Sequence, residues 1–128
     1  MDPDARALQL LLDTIVAEFP SRVFPLILLK SMTAVHPHRI ACRAARRPPN
    51  DVAHCFERVK YMSASRARRT YEIERDVVRS PRFAKRVRLL PQYELTEEGD
   101  REGRRGDGRH YEARINNELW SKAFTVIP

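Results

Sequence analysis

Five cationic side chains fall between residues 79 and 88, namely Arg79, Arg82, Lys85, Arg86 and Arg88, and their types and spacing suit the holding of a phosphate. Guanidinium groups fork onto phosphate oxygens in a bidentate way that an ammonium cannot. If Pro81 opens a helix, Arg82, Lys85 and Arg86 share one face, while Phe83, Val87 and Leu90 hold that helix on the core. Arg79 and Ser80 then lie at its N-terminus, where unpaired backbone N–H groups and the helix dipole also favour an anion. A monophosphorylated inositol headgroup needs this kind of compact pocket. A solvated basic face without a specific ligand has the same composition, and the pattern leaves both readings open. A second run, Arg66, Arg68 and Arg69, has no interleaved apolar residues and reads as a supplementary electrostatic contact.

Other chemistries have weaker support. His36, His38, Cys42, His54 and Cys55 are all potential zinc ligands, but paired ligands two to four residues apart on each side are missing, and adjacent His54 and Cys55 point to opposite faces of a strand. They read as buried thiols and surface imidazoles, with no metal and no cofactor expected. No nucleophile elbow, phosphate-cradling glycine loop, HExxH helix or CxxC pair is present. The carboxylate pairs Glu97-Glu98 and Glu72/Glu74 sit in polar surroundings without an apolar pocket to shift a pKa. A nonenzymatic protein is expected. Nucleic acid is the alternative partner: Tyr61 and Tyr71 flank the basic run, though no helix-turn-helix, zinc finger or set of stacking aromatics is complete.

The elements that must position these residues follow from the apolar pattern. Asp2-Pro3 starts a helix whose stripe is Leu8, Leu11, Leu12, Ile15, Val16 and Phe19, ending at Pro20. Ser21 caps an expected second helix with Phe24, Ile27, Leu28, Ser31, Met32 and Val35 buried, stopped by His36-Pro37, so that the two helices form a hairpin. Alternation from His38 (Ile40, Cys42, Ala44) reads as a strand, and Val52 to Met62 fits either a second strand or a helix. Ser63 to Thr70 reads as a loop, Tyr71 to Val78 as helical, and Ser80-Pro81 as a fresh helix start ending at Pro91. Tyr93 and Leu95 then begin a strand whose antiparallel mate is Tyr111, Ala113 and Ile115. Between them, residues 99–108 hold all four glycines and form an exposed, mobile loop. Glu118 to Ile127 carries Leu119, Trp120, Phe124, Val126 and Ile127 and is expected to dock on the core. The expected class is α+β, with an N-terminal helical hairpin, a small antiparallel sheet, a basic helix and a docked C-terminal segment, in a single domain over residues 1–128.

Composition agrees with a binding role. Between Arg39 and Arg88 there are fifteen Arg or Lys against five Asp or Glu, an excess of +10, whereas the remainder carries −3 of the overall +7. So polarised a molecule draws polyanions from beyond contact distance, and nucleic acid and anionic lipid headgroups are the first partners to consider. Lys occurs only at Lys30, Lys60, Lys85 and Lys122; phosphate recognition and a GC-rich genome explain that bias equally well. Two cysteines and no N-terminal signal peptide fit a reducing cytoplasm. The longest apolar run, Val23 to Leu29, is broken by Pro25 and is far short of the ~20 residues that span a bilayer, so a membrane role is expected to be peripheral.

Taken in order, these features resemble the small chordopoxvirus late protein family that binds phosphoinositides and is required to form the crescent membranes of immature virions. The resemblance rests on the N-terminal apolar segments ending at His36-Pro37, on Phe56-Glu57 with Tyr61 and Ala64-Ser65, and on Ser80-Pro81-Arg82-Phe83 leading into Lys85-Arg86. Order and approximate spacing hold over most of the first ninety residues. The resemblance implies a headgroup site at Lys85, Arg86 and Arg88, to which helix geometry adds Arg79 and Arg82. It also implies action in the host cytoplasm, peripheral to membranes at viral assembly sites, alongside other viral assembly proteins, and an Arg-rich member from a GC-rich poxvirus suits the composition. Leu89-Leu90-Pro91 stands where the family has further basic residues, which leaves Arg66, Arg68 and Arg69 to supply the outer half of the site.

Overall fold

The computed structural model describes residues 1–36, 63–98 and 113–126. The first helix, α1 (Pro3–Glu18), starts where the sequence places it. The Asp2 carboxylate accepts from the Asp4 N–H at 2.9 Å, and Pro3 occupies the first turn, where no N–H is needed. Phe19 leaves the helix in an extended conformation, as the residue before a proline must. Only part of the expected stripe is covered: Leu12 is fully buried, Leu8, Ile15 and Val16 are half-buried, and Leu11 and Phe19 are exposed.

After α1 the chain departs from the expected helical hairpin. Residues 20–26 make a turn and an extended approach, and Ile27–Lys30 form strand β1. A short apolar run next to a proline fits a buried strand as well as a helix, and here a strand partner decides the matter. That partner is β2 (Val87–Leu90), which runs parallel to β1 with Ile27 opposite Val87 and Lys30 opposite Leu90. The small sheet is therefore parallel, not antiparallel. Tyr93 and Leu95 lie in a helix, α3 (Gln92–Glu98), and Ala113 and Ile115 in another, α4 (Ala113–Val126), so neither pair supplies the expected hairpin.

The crossover between the strands contains α2 (Ala64–Arg79), which absorbs both the expected loop at 63–70 and the helical stretch after it. Ser63 caps α2 by accepting from the Arg66 N–H at 3.0 Å. Ala67, Tyr71 and Val78 supply its buried side at spacings of four and seven. It stops at Ser80, before Pro81. The expected basic helix beyond Pro81 does not form: residues 81–86 make tight turns, with the Ser80 carbonyl accepting from both Phe83 and Ala84, and the chain then enters β2. Pairing Val87–Leu90 with β1 outweighs the single helical turn that Pro81 could begin.

The strand alternation sorts the core. Ile27 and Val87 pack with Leu12, Val77, Val78 and Phe83 beneath α1 and α2, while Leu28 and Leu90 pack with Leu95, Leu119 and Ala123 of α3 and α4. The docked C-terminal segment is thus present through Leu119 and Ala123, whereas Trp120 faces solvent. A third cluster holds Ala34, Val35, Ala67, Tyr71 and Tyr93, with the two tyrosine rings stacked 4.5 Å apart. Thr96 is buried among these layers; it accepts from the Ala34 N–H at 2.8 Å and donates to the Gln92 carbonyl at 2.7 Å. Among the described residues no helix is long and apolar enough to cross a membrane. The expected strand around Ile40, Cys42 and Ala44, the segment 52–62 and the loop at 99–108 lie outside the described residues.

Phe83, 1% exposed at the junction of α1, α2 and β2, is the side chain on which this packing converges. Phe83→Ala should cost about 3–5 kcal/mol in urea unfolding, a large part of the stability of a small domain. Glu74 offers a second check. Its carboxylate accepts from the Met32 N–H at 2.9 Å, yet burial pushes its pKa above the ordinary carboxyl value. A raised native pKa means that the folded state holds the proton more tightly, so the contribution of this group is full below the unfolded pKa and is lost as pH rises through the native one. Glu74→Gln keeps an acceptor for Met32 and should therefore be more stable than wild type near pH 7, with the advantage gone by about pH 4.

Candidate functional site

The basic residues that the sequence places on one helix face are sent by the structure in different directions. Arg82 reaches α1, where Nε and Nη2 donate to the two carboxylate oxygens of Asp13 at 2.8 and 2.5 Å. Arg86 turns under the connection between α1 and β1, and its Nη2 donates to the backbone carbonyls of Phe19 at 2.6 Å and Phe24 at 3.0 Å. Lys85 is exposed between them and has no side-chain partner among the described residues. Arg82 and Arg86 are therefore already engaged within the protein. No helix N-terminus stands at Arg79 and Ser80 either; Arg79 is the last residue of α2, where a cation complements the negative end of the dipole.

The second basic run is divided as well. On α2, Arg68 pairs with Glu97 at 2.6 Å and lies 3.5 Å from the Tyr93 hydroxyl, which together raise its pKa further, while Arg69 pairs with Asp2 at the start of α1. Both tie α2 to neighbouring helices. That the Asp2 carboxyl is held below its usual range, chiefly by the Asp4 N–H, agrees with its double role as cap and ion-pair partner. Arg66 sits in the first turn of α2, exposed to solvent.

Arg79 and Arg88 do meet. They line a cleft of about 310 Å³ between α2 and β2, walled by Tyr71, Val78, Ala84 and Pro91. Arg75, which the sequence reading missed, joins them one helical turn before Arg79. The signal was available: in a helix from Ala64 to Arg79, Arg75 and Arg79 stand four apart and share a face. Arg75 is partly neutralised by Asp76 at 3.0 Å and lies 5.9 Å from the centre of the Tyr71 ring. Arg79 has no carboxylate partner among the described residues, and Arg88 meets only carbonyl oxygens, with Nη1 donating to Ala84 and Val87. Of the five N–H donors on a guanidinium, Arg88 keeps those on Nε and Nη2 for an incoming group.

Among the described residues the only acid on the cleft wall is Glu94, whose carboxylate accepts from the Tyr71 hydroxyl. Burial and this carboxylate push the Tyr71 pKa up to about 12, so the hydroxyl stays protonated and remains a donor. The cleft thus presents two arginines without carboxylate partners and a third half-neutralised one, over an apolar floor. That arrangement can hold a phosphate monoester by charge and forked hydrogen bonds, without help from a helix dipole.

For metal chemistry, His36 Nε2 donates to the Thr96 carbonyl at 2.8 Å, and among the described residues no group of three or more His, Cys, Asp or Glu is placed to hold an ion. The other candidate ligands, His38, Cys42, His54 and Cys55, lie outside the described residues, as does Tyr61.

The separation of structural from available cations is testable by stability. Arg86→Ala removes two charge-assisted hydrogen bonds and should lower unfolding free energy by about 2 kcal/mol, whereas Arg79→Ala should change it by less than about 0.5 kcal/mol. Equal effects in urea titrations would contradict the assignment. No family model matches this chain, and neither a curated protein nor a solved structure matches it.

Proposed function

We propose that this protein is a nonenzymatic, peripheral membrane protein that recognises phosphorylated inositol headgroups through the cleft of Arg75, Arg79 and Arg88. The observation that carries the reading is the pair Arg79 and Arg88, which line the cleft from α2 and from β2, both without a carboxylate partner among the described residues, beside an apolar floor. Among the described residues, ion pairs engage Arg68, Arg69 and Arg82, whereas Arg79 and Arg88 of this cleft face no carboxylate. Lys85 stands on the adjoining turn and adds long-range attraction. Each basic residue close to an anionic bilayer contributes on the order of 1 kcal/mol, and salt weakens the attraction.

The biological setting follows from the resemblance. On that basis the protein acts in virion membrane biogenesis, in the host cytoplasm at viral assembly sites, with phosphoinositide-bearing membranes and viral assembly proteins as partners. Recruitment to the membrane by reversible electrostatic docking is the proposed step.

Liposome flotation with and without phosphatidylinositol phosphates, set against duplex DNA and single-stranded RNA at matched salt, tests the reading. The protein should float only with phosphoinositide-bearing vesicles. Arg79→Glu with Arg88→Glu should weaken that binding by roughly tenfold or more while leaving the melting temperature near wild type. Unchanged lipid binding in the double variant, or nucleic acid binding at lower protein concentration than lipid, overturns it.

A further inference from the structure

Parallel pairing of β1 and β2 brings the two connections that feed them, residues 19–26 and 80–86, to the same end of the sheet. The Arg86 guanidinium joins them directly through the Phe19 and Phe24 carbonyls, and the Ile27 N–H donates to the Arg86 carbonyl at 2.7 Å. Together these connections hold Arg22, Arg82, Lys85 and Arg86 and not one Asp or Glu, and Arg82 is paired with Asp13 of α1. The same end exposes apolar side chains: Phe19 is 44%, Val23 59% and Phe24 46% accessible. The two phenyl rings pack edge to face, 5.2 Å apart, over a turn closed by the Pro20 carbonyl, which accepts from Val23 at 3.1 Å and from Phe24 at 2.9 Å.

An aromatic pair raised on a proline-flanked turn, with exposed Arg22 and Lys85 on the same two connections, matches the chemistry of an anionic bilayer surface, whose phosphates lie directly above hydrocarbon. A folded protein partner would have to bring acidic groups around an apolar pocket to match the same end. We infer that the Phe19–Phe24 turn is a membrane-penetrating wedge, inserted between lipid headgroups while Arg22 and Lys85 engage phosphates at its rim. The inference rests on the headgroup reading above and adds a second, apolar contact that a soluble headgroup cannot make. Arg86 then acts as a brace: it fixes the aromatic turn to the strand entry and holds the wedge in position.

The test places a single tryptophan in the turn, as Phe24→Trp in a Trp120→Phe background, and adds phosphatidylcholine vesicles containing a phosphatidylinositol phosphate and brominated acyl chains. A blue shift with bromine quenching is expected. Val23→Ser and Phe19→Ser, each checked for an unchanged melting profile, should lower vesicle partitioning by roughly tenfold, as the loss of one buried apolar side chain implies. Binding of a soluble inositol phosphate should stay the same in both. Vesicle binding without quenching overturns the wedge and leaves the headgroup cleft standing. Loss of both vesicle and soluble inositol phosphate binding overturns both readings. A concentration-dependent dimer that Phe19→Ser dissociates also overturns the wedge, in favour of a second copy of this chain on that face.

Discussion

The candidate surface depends on two four-residue strands running in the same direction. A parallel pair cannot be joined by a tight turn, so the chain must cross over, and α2 lies within that crossover. The same constraint puts the end of α1, the end of α2 and both strand entries at one end of the sheet. Arg86 and the aromatic turn come into contact because of this topology, although more than sixty residues separate Phe24 from Arg86 in sequence.

Charge in this protein is sorted by partner as well as by position. Arg68, Arg69 and Arg82 face Glu97, Asp2 and Asp13, and Arg86 faces two carbonyls, so four cations are spent on joining helices and connections. Exposed pairs of this kind contribute little to stability individually, yet they remove donors from the surface available to a ligand. Among the described residues no carboxylate pairs with Arg79 or Arg88, and Arg88 engages only Nη1, with the Ala84 and Val87 carbonyls. A count of basic residues therefore overstates how many can bind an anion, and the choice among them is made by the folded geometry.

Much of this was legible in the sequence where local chemistry dominates. Asp2-Pro3 and Pro20 bracket α1, and Leu119 marks the segment that docks at the C-terminal end. Arg79 and Arg88 were among the residues read as phosphate ligands, and they share the cleft. What failed was the choice between helix and strand for short apolar runs. Ile27–Lys30 and Val87–Leu90 carry patterns that suit either, and only their pairing with each other, sixty residues apart, settles them as strands. The helix drawn from Pro81 put Arg82, Lys85 and Arg86 on one face; the turn that replaces it separates them. The sequence reading misses Arg75 because it ends the helical stretch at Val78 and gives Arg79 to the start of a new helix, which hides the register linking the two.

The central claim is that the cleft between α2 and β2 binds a phosphorylated headgroup through Arg79 and Arg88. The most direct measurement is an NMR titration of the arginine Nε–Hε signals with a soluble inositol phosphate. The account predicts saturable shifts at Arg79, Arg88 and Arg75, with Arg82 and Arg86 unmoved in their internal contacts. Shifts that fail to saturate, or that concentrate on Arg66 and Arg22 while Arg79 and Arg88 stay still, would contradict it.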